Sequence, residues 1–507
     1  MGNGIKLIDL IIIIIYLMII LTIGLVFSKK KMEGMEFFRG DGKIPWWATA
    51  VSISATMLSP LAFLSFVGNA YQGSWLLWFG EIGGLIAIPL VIKFFLPIYA
   101  RLDIDTAYQY LEIRFGSKFL RIICSILYII FQLGKMTLFL YLPCVMLSEL
   151  TNINVDFLIL SMGVIATIYS FSGGLKAIIW TDFIQGIILL FGISITLFFI
   201  IKGINGGFSE ILISLSQDHK FIGVGDHWFN INLLHTSVFM VIVGSCFNSL
   251  STYISSQEIV QRFTTTKNEK HLRKMMLTNG LIEISVATIL YLIGTGIFVY
   301  YQYHPLIGSG EHDFVFGSYI TYVLPAGITG IIIASIYAAS QSTIATGLNA
   351  IASSWTLDII DPLIKRDLSP EEKTMFARAI SIAVGVLALL IASFLARHKL
   401  DSTEETFNSL IGLTLGIISS IFILGIVSKH ANKYGALAAL IFNVVLVLVI
   451  KYNFDSISIW TYSLISMISG LVVGLIVSYI FRKYNLYQYP NNTTIYNTDL
   501  NSSRDYK

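Results

Sequence analysis

Ala339, Ser342, Thr343 and Thr346 follow an i, i+3, i+4, i+7 spacing, which puts them on one face of a helix. They lie in an apolar stretch, Ala338 to Asn349, that offers hydroxyl and amide groups where lipid-facing Leu and Ile are expected. Hard cations such as Na+ take oxygen ligands, and a membrane-buried helix has few neutral ways to present several together, so this face suits an ion site. Hydroxyls that bond back to their own helix, or that join one helix to another, fit the same pattern.

Other residues bear on that choice. In Ala55-Thr56-Met57-Leu58-Ser59-Pro60, Pro60 cannot donate the amide bond that the carbonyl of Thr56 would normally receive. Freed carbonyls at membrane depth are tolerated only where protein, water or a ligand satisfies them, so residues 55 to 60 are expected to unwind; a plain proline kink is the simpler alternative. Charged residues inside spans are costly and usually functional. Asp182 stands at the start of an apolar run, where it can cap a helix or face a cation. Lys135 lies deep within another run and needs either a buried carboxylate, for which Glu81 is the candidate, or an anionic substrate. Lys93 is expected to snorkel to the inner surface. Glu283 has no assigned role.

The elements that must hold these residues are membrane helices. The chain has 507 residues, 55% of them hydrophobic and 12% charged, too apolar for a water-soluble core of this size. Thirteen runs of about 20 apolar residues, the length needed to cross a bilayer, recur along it. They fall at roughly 7 to 27, 46 to 72, 75 to 98, 119 to 149, 156 to 172, 182 to 202, 233 to 261, 276 to 302, 314 to 358, 375 to 396, 406 to 428, 433 to 450 and 458 to 481. With the N-terminus outside, 25 of the 33 Lys and Arg residues fall in cytoplasmic segments, six fall outside and two lie within spans. This is the positive-inside bias, and it puts the C-terminus in the cytoplasm. A multi-pass protein of the cell membrane is expected, surrounded by lipid. The net charge of +3 follows from this topology and implies no nucleic-acid partner. Cys124, Cys144 and Cys246 fall inside spans without paired spacing, which supports neither disulfides nor a metal cluster. The segment 484–507, rich in Asn, Tyr, Thr and Ser, reads as a disordered cytoplasmic tail.

Five spans after the break at Pro60, the small and polar residues Val243-Gly244-Ser245-Cys246-Phe247-Asn248-Ser249 are expected to interrupt the seventh span. Interrupted helices at matching places in two halves point to an inverted-repeat transporter with its site near the midplane. The expected division is an extra helix and linker over 1–45, repeats over 46–205 and 206–430, and C-terminal helices over 431–483.

Three stretches carry a resemblance to a known family. Gly173-Gly174-Leu175 running into Trp180-Thr181-Asp182 and Gln185 is one; Ser256-Gln257-Glu258-Ile259-Val260-Gln261-Arg262 is another; Ser342-Thr343 followed by Asn349 and Asp358 is the third. Together they resemble the sodium:solute symporter family over roughly residues 10 to 480. The resemblance implies an all-α LeuT-type fold of two inverted five-helix repeats, working by alternating access with Na+ as coupling ion and no other cofactor. It also implies a sodium site common to the family at Ala55 and Leu58, through their carbonyls, with Ala339, Ser342 and Thr343. A second sodium site, found in some members, would fall on Asp182, Ser342 and Thr346, with Ala345 standing where a hydroxyl is usual.

Within the family, Ser59-Pro60-Leu61-Ala62-Phe63-Leu64-Ser65, Gly134-Lys135-Met136 and Tyr141-Leu142-Pro143 are most similar to the bacterial sialic-acid branch. Lys135 replaces an Arg of that branch and Ala62 replaces a hydroxyl residue, so a carboxylate would be held without bidentate geometry. The expected substrate is an acidic sugar such as sialic acid, bound among Ser59, Glu81, Lys135, Phe247 and Asn248. A neutral sugar, an amino acid or another carboxylate is the alternative, with a non-transporting sensor behind it. No nucleotide loop, nucleophile elbow or metal-ligand cluster suggests an enzyme. The protein is expected to work as a monomer.

Overall fold

The computed structural model describes the chain except for residues 1–4, 29–33, 41–43, 59, 103, 230–235, 267, 307, 309–313, 365, 367, 399–402, 454–457, 485–489, 491–492 and 497–507. The basic cluster Lys29-Lys30-Lys31 and the candidate substrate residue Ser59 therefore lie outside the described residues. The described elements are helices: α1 (Leu7–Ser28), α2 (Trp46–Met57), α3 (Pro60–Gln72), α4 (Phe79–Phe94), α5 (Lys118–Thr151), α6 (Val155–Gly203), α7 (Val238–Ser255), α8 (Gln257–Phe263), α9 (Glu269–Tyr303), α10 (Ile328–Ser354), α11 (Pro370–Arg397), α12 (Gly416–Val427), α13 (Lys433–Asn453) and α14 (Tyr462–Ile480), with shorter pieces between them.

Among the described residues, eleven helices are long and apolar enough to cross a membrane, and α2 with α3 forms a twelfth, broken span bent by 61°. The remaining predicted run, the fifth at 156 to 172, corresponds to the first part of α6, Val155–Phe171. At 1.5 Å per residue it is about 26 Å long, just short of the hydrocarbon thickness. Gly174 divides α6, with φ +58° and ψ −165°. A Cβ there would lie 2.6 Å from the Phe37 carbonyl oxygen, so both the backbone angle and the space require glycine. The sixth span consequently begins near Gly173 and not at 182, which puts Asp182 about two turns inside it, past the reach of a helix cap.

The break at Pro60 is present: α2 ends at Met57, Leu58 leaves the helix with φ −71° and ψ 84°, and α3 starts at Pro60. The second expected break is not where the polar residues suggested. α7 runs unbroken through Val243 to Ser249, and the chain turns extended only at Ser256. Polar residues do not by themselves open a helix, because Ser251, Thr252 and Ser255 each bond back to the carbonyl four residues earlier. At Ser256 the freed carbonyls have partners from elsewhere. Tyr99 Oη donates to Ile254 O at 2.5 Å, and Tyr108 Oη donates to Ser255 O at 2.8 Å.

α10 lies at the centre, its residues from Ile332 to Ser354 all buried, and packs along α6, α5, α1 and α2. α1 is tied to it by Tyr16 Oη, which donates to Gln341 Oε1 at 2.8 Å, and by Asp9, which accepts the amides of Gly327 and Gly330. Part of the expected disordered tail is docked: Thr493 and Thr494 are fully buried, Tyr110 Oη donates to Thr493 O at 3.0 Å, and Ile495 N donates to Ile426 O at 3.1 Å.

Candidate functional site

The helix break and the hydroxyl face of α10 meet. The last turn of α2, with Ala55, and Leu58 just beyond it expose carbonyls without intrahelical donors at the negative end of the helix dipole. Thr343 Oγ1 approaches the Thr56 carbonyl at 3.5 Å while bonding back to Ala339 O at 3.1 Å. Ala55, Leu58, Ala339, Ser342 and Thr343 are all buried at this junction. Carbonyl oxygens from one helix and hydroxyls from the other thus form a joint between two elements, suited to a hard cation that would hold them together.

Beside it, Asp182 reaches the same hydroxyl face. Its Oδ1 accepts from Ser342 Oγ at 2.7 Å, and its Oδ2 accepts from Ser52 Oγ at 2.6 Å and from Thr346 Oγ1 at 3.3 Å. A fourth partner lies outside the set expected from the sequence. Arg262 Nη2, on α8, donates to Asp182 Oδ2 at 2.8 Å, with both side chains 0% exposed.

One turn earlier on α8, Glu258 takes Lys135. Lys135 Nζ lies 2.6 Å from Glu258 Oε1, Gln132 Nε2 donates to Glu258 Oε2 at 3.0 Å, and the Phe139 ring lies 5.7 Å from the ammonium. The expected pairing of Lys135 with Glu81 is therefore replaced by one with Glu258. α4 carries Glu81 past the site without bringing it to the ammonium, whereas the break at Ser256 points α8 inward. Glu258 and Arg262, at i and i+4, share one face of α8, so a single helical turn touches both Lys135 and Asp182.

Lys135 opens onto a cavity between α3, α4, α5, α7 and α9, lined by Glu81, Ser245, Asn248, Glu283 and Trp460 among others. α4 and α7 are in contact through small residues; a Cβ at Gly83 would lie 2.2 Å from Ile242 O. Ser245, Asn248, Ser249 and Thr252 share the cavity face of α7. Phe247 does not line the cavity: in an unbroken helix it is turned away and packs with the core around Tyr253 and Ile254. Ala62 lines the cavity. Glu283 accepts from Tyr253 Oη at 3.0 Å, and among the described residues no ion pair reaches Glu283 or Glu81.

Of the residues singled out in the sequence, the structure brings together Ala55, Leu58, Ala339, Ser342, Thr343, Thr346 and Asp182 in one region, and Glu81, Lys135 and Asn248 around the cavity. Glu258, Arg262, Ser52, Ser245 and Glu283 were missed as site residues. The i, i+4 spacing of Glu258 and Arg262, in a stretch already noted, was the available signal. That stretch also meets the third one, since Asn349 Nδ2 donates to Gln261 Oε1 at 3.1 Å. Asp358 is held by Arg121 Nε at 2.7 Å.

The model of the sodium:solute symporter family matches residues 37–442. The sodium/sialic acid symporter SiaT of Proteus mirabilis is 33% identical over 469 residues, which cover 92% of this chain and 94% of that protein. The sodium/sialic acid symporter NanT of Aliivibrio fischeri is 29% identical over 469 residues, 92% of each chain. A solved Na+-coupled sialic acid symporter, in a substrate-bound outward-open state with a novel Na+ site, superposes with a TM-score of 0.88 at 31% identity, covering 94% of this chain and 98% of that one. The fold is accordingly the LeuT type expected from the sequence, and the similar proteins are transporters and not enzymes.

Proposed function

The chain belongs to the sodium:solute symporter family, and on that premise we propose that it imports an acidic sugar, sialic acid (N-acetylneuraminate), with Na+ across the cell membrane. The observation that carries this reading is the joint between the last turn of α2 and the hydroxyl face of α10, set beside a cavity lined by Lys135. The likeness to sialic acid symporters supports the choice of substrate. The expected topology, N-terminus outside and C-terminus cytoplasmic, the repeats over 46–205 and 206–430 and a monomeric unit belong to the same proposal.

In this mechanism Na+ binds first among the carbonyls of Ala55 and Leu58 and the oxygens of Ala339, Ser342 and Thr343, fixing α2 against α10. Ion binding drives a conformational change only through different affinity for the two states, which a site shared by two moving elements provides. The substrate carboxylate then takes Lys135 in place of Glu258, exchanging one buried counter-ion for another. Its hydroxyl and amide groups meet Asn248, Ser245, Glu81 and Glu283. Ser245 Oγ has no hydrogen-bond partner among the described residues and faces this space.

The existing Lys135–Glu258 pair and the two other cavity carboxylates also suit a neutral polyol, which would leave the pair intact. Competition by N-acetylneuraminate and by its methyl ester separates the two readings: an acid carrier prefers the acid, a neutral-solute carrier the ester. Ser342→Ala with Thr343→Ala is expected to abolish Na+-dependent uptake, and wild-type uptake by that double variant would defeat the ion-site assignment.

A further inference from the structure

The cavity beside Lys135 has a basic side and an acidic side. Lys135 comes from α5, which packs mainly on α6, α10 and α11, whereas Glu81 and Glu283 come from α4 and α9, which pack on each other. Ser245 joins the acidic side from α7, which packs along α4. Its hydroxyl lies against the residue before Glu81, since a Cβ on Gly80 would stand 2.7 Å from Ser245 Oγ.

Glu283 is fixed from behind. Its Oε2 accepts from Tyr253 Oη at 3.0 Å, Tyr253 Oη accepts from Asn279 Nδ2 at 3.1 Å, and Asn279 Oδ1 accepts from Ser54 Oγ at 2.9 Å. Tyr253, Asn279 and Ser54 are buried, so the carboxylate is held by a chain of polar groups anchored on α2. The other oxygen, Glu283 Oε1, is buried and has no hydrogen-bond partner among the described residues, and neither has Ser245 Oγ, on a residue 7% exposed. A carboxylate oxygen can only accept, and leaving it unsatisfied in a buried site is costly.

We propose that this acidic side is a subsite for an ammonium group, so that the favoured substrate is an amino sugar acid, with its carboxylate at Lys135 and its amine among Glu81, Glu283 and Ser245. The proposal rests on the reading of the protein as a carrier of sugar acids and names the member of that class the cavity prefers. Among the described residues, the charged side chains lining the cavity are Lys135, Glu81 and Glu283, and Glu258 already neutralises Lys135. A substrate carboxylate that displaces Glu258 adds negative charge to a site where carboxylates are already in excess, and uncompensated buried charge is strongly disfavoured. An ammonium group offsets part of that excess and brings three N–H donors, enough for both carboxylates and the hydroxyl. The acetamido group of N-acetylneuraminate offers a single N–H and no charge.

The test is calorimetric titration of the purified, full-length protein in Na+ at neutral pH with two matched pairs of ligands. The first pair is N-acetylneuraminate and its analogue with an amine in place of the terminal hydroxyl of the glycerol chain. The second is the methyl glycosides of N-acetylneuraminic acid and of neuraminic acid, whose ring amine is free. In at least one pair the amine is expected to bind about tenfold tighter or more, because its partner leaves buried polar groups unpaired. Amines that bind no better than their partners in either pair overturn the proposal, whereas a panel in which no acid binds overturns the sugar-acid reading on which it rests. Glu81→Gln with Glu283→Gln removes both charges and is expected to erase the preference for the amine; a folded double variant that keeps the wild-type ratio of affinities would overturn the subsite. If that variant does not fold, the wild-type panel decides.

Discussion

Glu258→Gln separates the two roles available to Lys135. In the wild-type protein the ammonium is 2.6 Å from Glu258, and the two side chains are 5% and 0% exposed, so solvent screens the pair little. At an effective dielectric near 20, unit charges 4 Å apart attract by about 4 kcal/mol. Removing one member of a buried pair costs about 3–5 kcal/mol, because the other charge stays behind uncompensated. The ligand-free variant is expected to lose stability of that order. A carboxylate substrate supplies a new counter-ion, and in the variant it no longer competes with Glu258. If only a third of the attraction opposes the substrate in wild type, its removal is worth ~1.4 kcal/mol, or about tenfold in affinity. Calorimetric titration with N-acetylneuraminate and its methyl ester, beside thermal unfolding with each, measures both effects. The expected result is a lower melting temperature that the acid restores more than the ester, with the acid Kd falling about tenfold and the ester Kd unchanged. An acid affinity that falls together with that of the ester would refute the exchange and leave Glu258 a structural role.

Lys135→Arg supplies a planar fork that can hold a carboxylate with two parallel bonds, and is expected to tighten binding of the acid but not of the ester, as read by the same titration. Gly174→Ala places a methyl group 2.6 Å from the Phe37 carbonyl in a backbone with φ +58°, and is expected to lower the melting temperature by the equivalent of at least about 1–3 kcal/mol. Deleting residues 490 to 507 removes the hydrogen bonds that tie Thr493 to Tyr110 and Ile495 to Ile426, and is expected to cost about 2 kcal/mol in thermal unfolding while leaving the Na+ dependence of uptake unchanged.

The parts of this fold that were legible in the sequence are those governed by local chemistry. Apolar runs of bilayer length gave the spans, Pro60 gave the first break, and the i, i+3, i+4, i+7 spacing gave the hydroxyl face. The second break was misplaced because Gly244 and the hydroxyls around it looked like helix breakers. In the structure a Cβ at Gly244 would lie 2.5 Å from Trp460 O, so this glycine permits close packing within an intact helix. The true break at Ser256 depends on Tyr99 and Tyr108, about 150 residues away in the chain, and no local pattern announces it. The same holds for the ion pairs. Lys135 and Asp182 were recognisable as buried charges in need of partners, but the choice of Glu258 and Arg262 is made by how α8 enters the core. The tail was assigned by composition, which could not register that Tyr110 and Ile426 offer it bonding groups.

Uptake of radiolabelled N-acetylneuraminate into proteoliposomes, under an imposed inward Na+ gradient and with K+ in its place, tests the central claim most directly. The account predicts accumulation above the external concentration that requires the Na+ gradient, is lost in the Ser342→Ala, Thr343→Ala double variant and is blocked by excess unlabelled acid. Equal uptake with and without the gradient, or none in either condition from folded protein, would contradict it.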